Sequence, residues 1–218
     1  MADKDSRAGH RYTDPALLTW LDDLHAGFDP ALRRAFEAPD REAMPAIQVG
    51  RSEGRLLGLM ARLVGARKMV EVGTLAGFSA LNLARALPAD GHLWTVEFEA
   101  KHAAVARANL AAAGLDERVT VVLGDALTVL PTLEPQGPFD LVFVDADKER
   151  YDVYGRWAAA NLRPGGLLLC DNAYFFGKLL DRSSPGAAAV RRLHEESRAH
   201  FDTVCVPTPD GLLLGIKR

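Results

Sequence analysis

From Lys68 onward the chain repeats one pattern: a short apolar run, then a glycine or carboxylate, then a stretch with helical periodicity. The runs are Met69-Val70-Glu71-Val72, Leu93-Trp94-Thr95-Val96, Val119-Thr120-Val121-Val122-Leu123, Leu141-Val142-Phe143-Val144 and Gly166-Leu167-Leu168-Leu169-Cys170. They end at Gly73, Glu97, Gly124-Asp125, Asp145 and Asp171-Asn172. Continuous apolar runs this short read as strands buried on both faces. Helices are expected to about Ala86, from Lys101 to Ala113, to Leu133, through Trp157 to Leu162, and from Ala187 to His200. Such alternation predicts a doubly wound, Rossmann-like α/β sheet with helices on both faces. Two last strands, near Thr203 to Val206 and Leu212 to Ile216, are joined by a turn at Pro207 to Gly211. They predict a C-terminal antiparallel hairpin on a mostly parallel sheet.

Before Lys68 the reading is helical. Residues up to about Asp14 look polar and frayed. A helix follows Pro15, with Leu17, Leu18, Leu21 and Leu24 on one face, and a second runs from Leu32 to Phe36. A loop bracketed by Pro39 and Pro45 ends in Ile47-Gln48-Val49-Gly50, and Ser52 is expected to cap the next helix. One domain is expected: a helical extension over 1–45 and a catalytic core over 46–218.

Composition narrows the function classes. With a formal net charge of −3, the 218 residues give no reason to expect nucleic acid as a partner. No apolar run approaches the ~18 residues of a membrane span. The N-terminus has no apolar stretch of the secretory kind. Cys170 and Cys205, the only cysteines, each sit in an apolar run. They read as reduced core residues of a cytoplasmic protein.

Ligands of such sheets bind beyond the carboxyl ends of the strands, and here those ends carry the chemistry. Gly73 and Gly77 let backbone approach a ligand closely. Their spacing is not the Gly-x-Gly-x-x-Gly of dinucleotide sites, and Glu71 stands just ahead of them. A carboxylate there repels a pyrophosphate but suits a sulfonium or an ammonium, which favours S-adenosyl-L-methionine. Glu97 lies about 20 residues beyond the glycine loop, where an acidic residue can bond ribose hydroxyls. Asp125 can cap the helix beginning at Ala126, meet the adenine amino group, or do both. Asp145, Asp171 and Asn172 form a set of hard oxygens suited to magnesium, manganese or calcium. Lys148, one short turn after Asp145, is placed to be a general base beside such a cation. Asp147 has no assigned task, and the histidines show no metal spacing.

These residues resemble the cation-dependent O-methyltransferases of the caffeoyl-CoA and catechol type. The resemblance lies in Val70-Glu71-Val72-Gly73-Thr74-Leu75-Ala76-Gly77-Phe78-Ser79 and in Phe139 through Lys148. Arg163-Pro164-Gly165-Gly166 through Asp171-Asn172, and Asp210-Gly211-Leu212, complete it; together they span roughly 40–218. It implies a seven-stranded class I methyltransferase fold and a homodimer. It implies cofactor contacts from Val49, Glu71, Gly73, Ser79, Glu97, Asp125, Ala126 and Asp145. It implies a divalent cation, magnesium first, on Asp145, Asp171 and Asn172, with Lys148 as base. The acceptor implied is a small aromatic with vicinal hydroxyls. Phe78 replaces a tyrosine of the family pattern, and Ala173-Tyr174-Phe175-Phe176-Gly177 departs from it after the third motif. The alternatives are methylation of a non-catechol hydroxyl with a structural metal, a nicotinamide-dependent dehydrogenase, and a non-catalytic S-adenosylmethionine-binding protein.

Overall fold

The computed structural model describes Lys4, Ala8 and residues 14–218. The expectation of a frayed start therefore falls almost wholly outside the described residues. Helices α1 (Pro15–His25), α2 (Pro30–Phe36), α3 (Ala38–Arg41) and α4 (Arg51–Leu63) precede the sheet. Then come β1 (Lys68–Val72), α5 (Phe78–Ala84), β2 (His92–Glu97), α6 (Ala100–Ala112), β3 (Val119–Leu123) and α7 (Ala126–Leu133). Next are β4 (Phe139–Val144), α8 (Tyr151–Asn161), β5 (Leu162–Cys170), α9 (Pro185–Ser197), β6 (Phe201–Val206) and β7 (Leu212–Lys217). The strands form one sheet of seven in the order β3-β2-β1-β4-β5-β7-β6. β1 to β5 pair in parallel, and β7 runs antiparallel to both β5 and β6. The expected architecture is observed, and among the described residues no helix is long and apolar enough to cross a membrane.

Strand alternation divides the core between the two faces. Met69, Leu141, Phe143, Leu167 and Leu169 pack with Leu57, Leu81 and Leu110 of α4, α5 and α6. Val70, Val72, Val142, Val144, Leu168 and Cys170 pack with Leu130, Tyr154 and Val190 of α7, α8 and α9. The apolar runs carry no polar alternation because both of their faces are covered. Cys170 is buried and Cys205 half-buried, and both are free thiols.

Helix α3 forms where a loop was expected, and several element ends differ from the sequence reading, three of them instructively. Gly50, not Ser52, caps α4, with its N–H donated to Glu53 Oε2 at 2.8 Å. Glu53 three residues on does the reciprocal capping, and the Ser52 hydroxyl instead donates to the Asp22 carboxylate. β5 begins at Leu162, and its pairing jumps from Phe139↔Leu162 to Leu141↔Leu167. The extra residues around Gly165 (φ +73°) loop out as an irregularity inside the strand. Helix α9 starts at Pro185 because Ser184 caps it, and it stops at Ser197.

Candidate active site

β1 and β4 are neighbours in space though not in sequence, so the chain reverses its winding direction between them. A crevice opens beyond the carboxyl ends of strands at such a point. Three strand ends meet tightly there: Asp145 N–H after β4 donates to Val72 O of β1 at 2.8 Å, and Gly73 N–H after β1 to Val96 O of β2 at 3.0 Å. Gly73 has φ +95°, and a Cβ on it would stand 2.1 Å from the Asp145 carbonyl oxygen. Only glycine fits. The cleft above measures about 880 Å³. Of the expected site residues, Val49, Gly73, Ser79, Glu97, Asp125, Ala126, Asp145, Lys148 and Asn172 line it. Glu71 and Asp171 lie behind its walls.

Glu71 is wholly buried. The two-residue strand period puts it on the face shared with Met69, beneath α5. Its Oε2 accepts from Thr95 Oγ1 at 2.5 Å, and Thr95 and Thr74 hydroxyls are 2.5 Å apart. Among the described residues its Oε1 makes no hydrogen bond of good geometry, though the Ser79 hydroxyl lies near the carboxyl. Burial pushes this carboxyl up to about 8, outweighing the nearby Ser79 and Thr95 hydroxyls; the Asp145 and Glu97 charges add to the rise.

Glu97 is nearly buried and clamps the glycine loop. Its Oε2 accepts from Thr74 N–H at 3.1 Å and Leu75 N–H at 2.8 Å, and its Oε1 from Glu99 N–H at 2.9 Å. Leu75, held in this way, adopts φ +50°. Phe78, where the family pattern has tyrosine, turns its ring onto Phe36 (5.0 Å between centroids) and Phe28 (6.3 Å). That aromatic cluster ties α2 to the start of α5.

Asp125 caps α7 as expected, with Oδ1 accepting from Leu127 N–H at 2.8 Å. It also pairs with Arg150, whose Nη1 lies 3.0 Å from Oδ1 and 2.8 Å from Oδ2. The Arg150 pair and the cap bond hold the Asp125 carboxyl below its usual range. Asp147 accepts from Tyr154 Oη at 2.6 Å and faces Arg150 Nε at 3.4 Å.

On the other side of the crevice, Lys148 Nζ donates to Asp145 Oδ1 (2.9 Å), Ala146 O (2.9 Å) and Tyr151 Oη (2.6 Å). Asp171 ends β5 directly beside Asp145, and its N–H donates to Val144 O at 3.0 Å. Only 6% of Asp171 is exposed. Burial, then the Asp145 charge, raises its carboxyl to about 7. Asn172 is 9% exposed and sits at φ +52°, a conformation asparagine tolerates better than most residues. A nearly buried carboxylate at Asp171, the partly exposed Asp145 carboxylate beside it and the Asn172 amide are a donor set that a hard cation suits. The residues therefore fit a divalent metal. Among the described residues no group of three or more His, Cys, Asp or Glu has that geometry. The candidate set contains two carboxylates, with an amide as its third donor.

The sequence reading missed Arg150 and Tyr151 at the site, and Glu53 as the partner of the α4 cap. Arg150 follows Asp147 by three residues, a spacing that could have signalled a local pair. Glu53 could have been found from its position two residues into α4, at the reciprocal capping position. Nothing local pointed to the Thr74–Thr95–Glu71 chain, which forms only when β2 lies beside β1.

The O-methyltransferase family profile matches residues 26–218. The chain belongs to the O-methyltransferase family. This O-methyltransferase is 43% identical over 208 residues to a catechol O-methyltransferase of Niastella koreensis, covering 90% of this chain and 94% of the relative. It is 41% identical over 212 residues to a catechol O-methyltransferase of Mycobacterium tuberculosis, covering 94% and 96%. Its fold matches an O-methyltransferase from Bacillus cereus solved in complex with SAH, at TM-score 0.89 and 32% identity, covering 93% and 97%.

Proposed function

We propose that this O-methyltransferase moves a methyl group from S-adenosyl-L-methionine to one hydroxyl of a catechol-like aromatic. Asp145, Asp171 and Asn172 hold a divalent cation in this reading, magnesium first. The observation that carries it is Asp171: a nearly buried carboxylate set beside Asp145 on the next strand end. The catechol O-methyltransferase relatives and the SAH-bound structure support the same substrates.

A phenol with a pKa near 10 is only ~0.1% ionised at pH 7, a deficit of about 4 kcal/mol. A divalent cation, when bound, stabilises the phenolate and orients both vicinal oxygens. Asp145 and Asn172 line the cleft, and the nearly buried Asp171 would complete the ligand set from the adjoining strand end. Lys148 Nζ, beside Asp145, Ala146 O and Tyr151 Oη, is the group placed to take the phenol proton once it has given up one of the three N–H it donates here to become the neutral amine. The clamped loop from Gly73 to Leu75 and the Val49 side chain shape the donor end. Ile47 and Phe176, exposed apolar side chains on the cleft rim, offer contacts for the acceptor ring. Holding acceptor oxygen and methyl carbon in line adds the proximity term.

Asp145→Ala tests this. Methylation of a catechol should fall by at least about a hundredfold, while calorimetry still detects S-adenosylhomocysteine binding. Full activity in excess EDTA, or equal activity on a monohydroxylated acceptor, would refute the cation-assisted reading.

A further inference from the structure

We propose that Arg150 is a positioning residue for the adenine ring of the methyl donor, acting through Asp125. The proposal rests on the reading of the cleft as an S-adenosylmethionine site. Asp125 follows β3, one strand beyond Glu97 and three strands from the β4 end that carries Asp145, and it lines the cleft. Its two oxygens are not equivalent. Oδ1 accepts from both Leu127 N–H and Arg150 Nη1. Among the described residues Oδ2 accepts from Arg150 Nη1 alone, at 2.8 Å, and keeps lone-pair capacity. The helix cap fixes Oδ1 and the guanidinium bridges both oxygens, so the carboxylate presents Oδ2 in one orientation.

Arg150 is itself held in place. Its Nε faces Asp147 Oδ2 at 3.4 Å, and Asp147 Oδ1 accepts from Tyr154 Oη of α8 at 2.6 Å. Asp125, Arg150, Asp147 and Tyr154 all line the cleft, and none is needed for proton or methyl transfer. One guanidinium between two carboxylates leaves the group net negative. That environment welcomes an N–H donor and rejects a carbonyl. Adenine presents an exocyclic amino group, whereas hypoxanthine presents a carbonyl there and a ring N–H beside it. A carboxylate free to rotate could move to meet that ring N–H. A pinned one cannot, so Arg150 sets the preference for the 6-amino purine.

The test is titration calorimetry of S-adenosyl-L-homocysteine and S-inosyl-L-homocysteine against the wild type, R150M and R150K. The wild type should prefer the adenosyl ligand by about tenfold or more, the scale of one hydrogen bond to a charged group. R150M should weaken adenosyl binding by about tenfold and bring the preference to within about threefold. R150K, which keeps the charge but not the planar guanidinium, should fall between them. A structural role alone would weaken both ligands equally and leave the ratio intact, and that result overturns the proposal. So does an R150M that binds the adenosyl ligand as well as the wild type or better, which would mean that the ion pair competes with adenine. Should R150M fail to fold, the ratio in R150K decides on the same terms. A wild type that binds neither ligand overturns the cofactor reading and this proposal with it.

Discussion

Glu71→Gln isolates the cost of burying a carboxyl beneath α5. The group's ordinary value is 4.5, and the fold raises it to about 8. Between those values the native state binds more protons than the unfolded state. The stability attached to Glu71 is therefore fully present below about pH 4.5 and is lost as pH rises through about 8. Each tenfold change in proton affinity is worth ~1.4 kcal/mol, so Glu71 costs the wild type about 3–4 kcal/mol between pH 5 and pH 8. Glutamine keeps the shape and an acceptor for the Thr95 hydroxyl, but it does not titrate. It places an amide nitrogen at the Oε1 position, near the Ser79 hydroxyl, and this adds an offset that does not vary with pH. The sign at a single pH is thus a poor readout, and the change with pH is the informative one. Asp171 is also raised, but it is present in both proteins and its contribution cancels in the difference. Urea denaturation of the ligand-free wild type and variant from pH 5 to 8 measures it. The stability of the variant should gain on the wild type by about 3–4 kcal/mol across that window. A difference that stays constant from pH 5 to 8 would show that Glu71 is not a buried neutral acid, and the reasoning would fail.

Gly73→Ala should destabilise the protein by more than about 3 kcal/mol, because φ is +95° and the new methyl would meet the Asp145 carbonyl; a thermal midpoint within a few degrees of the wild type counts against the tight crossing of β1 and β4. Phe176→Ala should raise the acceptor KM by about three- to tenfold, as an exposed ring is lost from the cleft rim. The S-adenosylhomocysteine affinity of that variant should stay unchanged, and a weakened one would place Phe176 at the donor end instead.

Much of the fold was legible because strand runs buried on both faces leave an unmistakable pattern. Val70 to Val72, Val142 to Val144 and Leu167 to Cys170 were readable as strands before any contact was known. The element ends were harder. Ser52 is a good capping residue, yet the cap fell to Gly50 because Glu53 could reach back to its N–H and Asp22 took the serine hydroxyl. The start of β5 was hidden by Gly165-Gly166, which signal a turn but here form an interruption within a longer strand.

The site divides along the same line. Hard oxygens at Asp145, Asp171 and Asn172, a lysine one turn away, and a glycine loop followed by Glu97 are written in order along the chain, since each lies at a strand end. The sequence by itself determined that inventory and the doubly wound sheet that gathers it. Only the tertiary structure decided what each group touches. It drew Glu71 under a helix, made Glu97 a clamp for three backbone N–H groups, and joined Asp125 to Arg150 across 25 residues. Strand patterning follows from local burial, which every residue carries in its own side chain. Ionisation and pairing depend on which distant charges and dipoles the finished fold brings within a few ångströms, and that is settled only when the strands lie side by side.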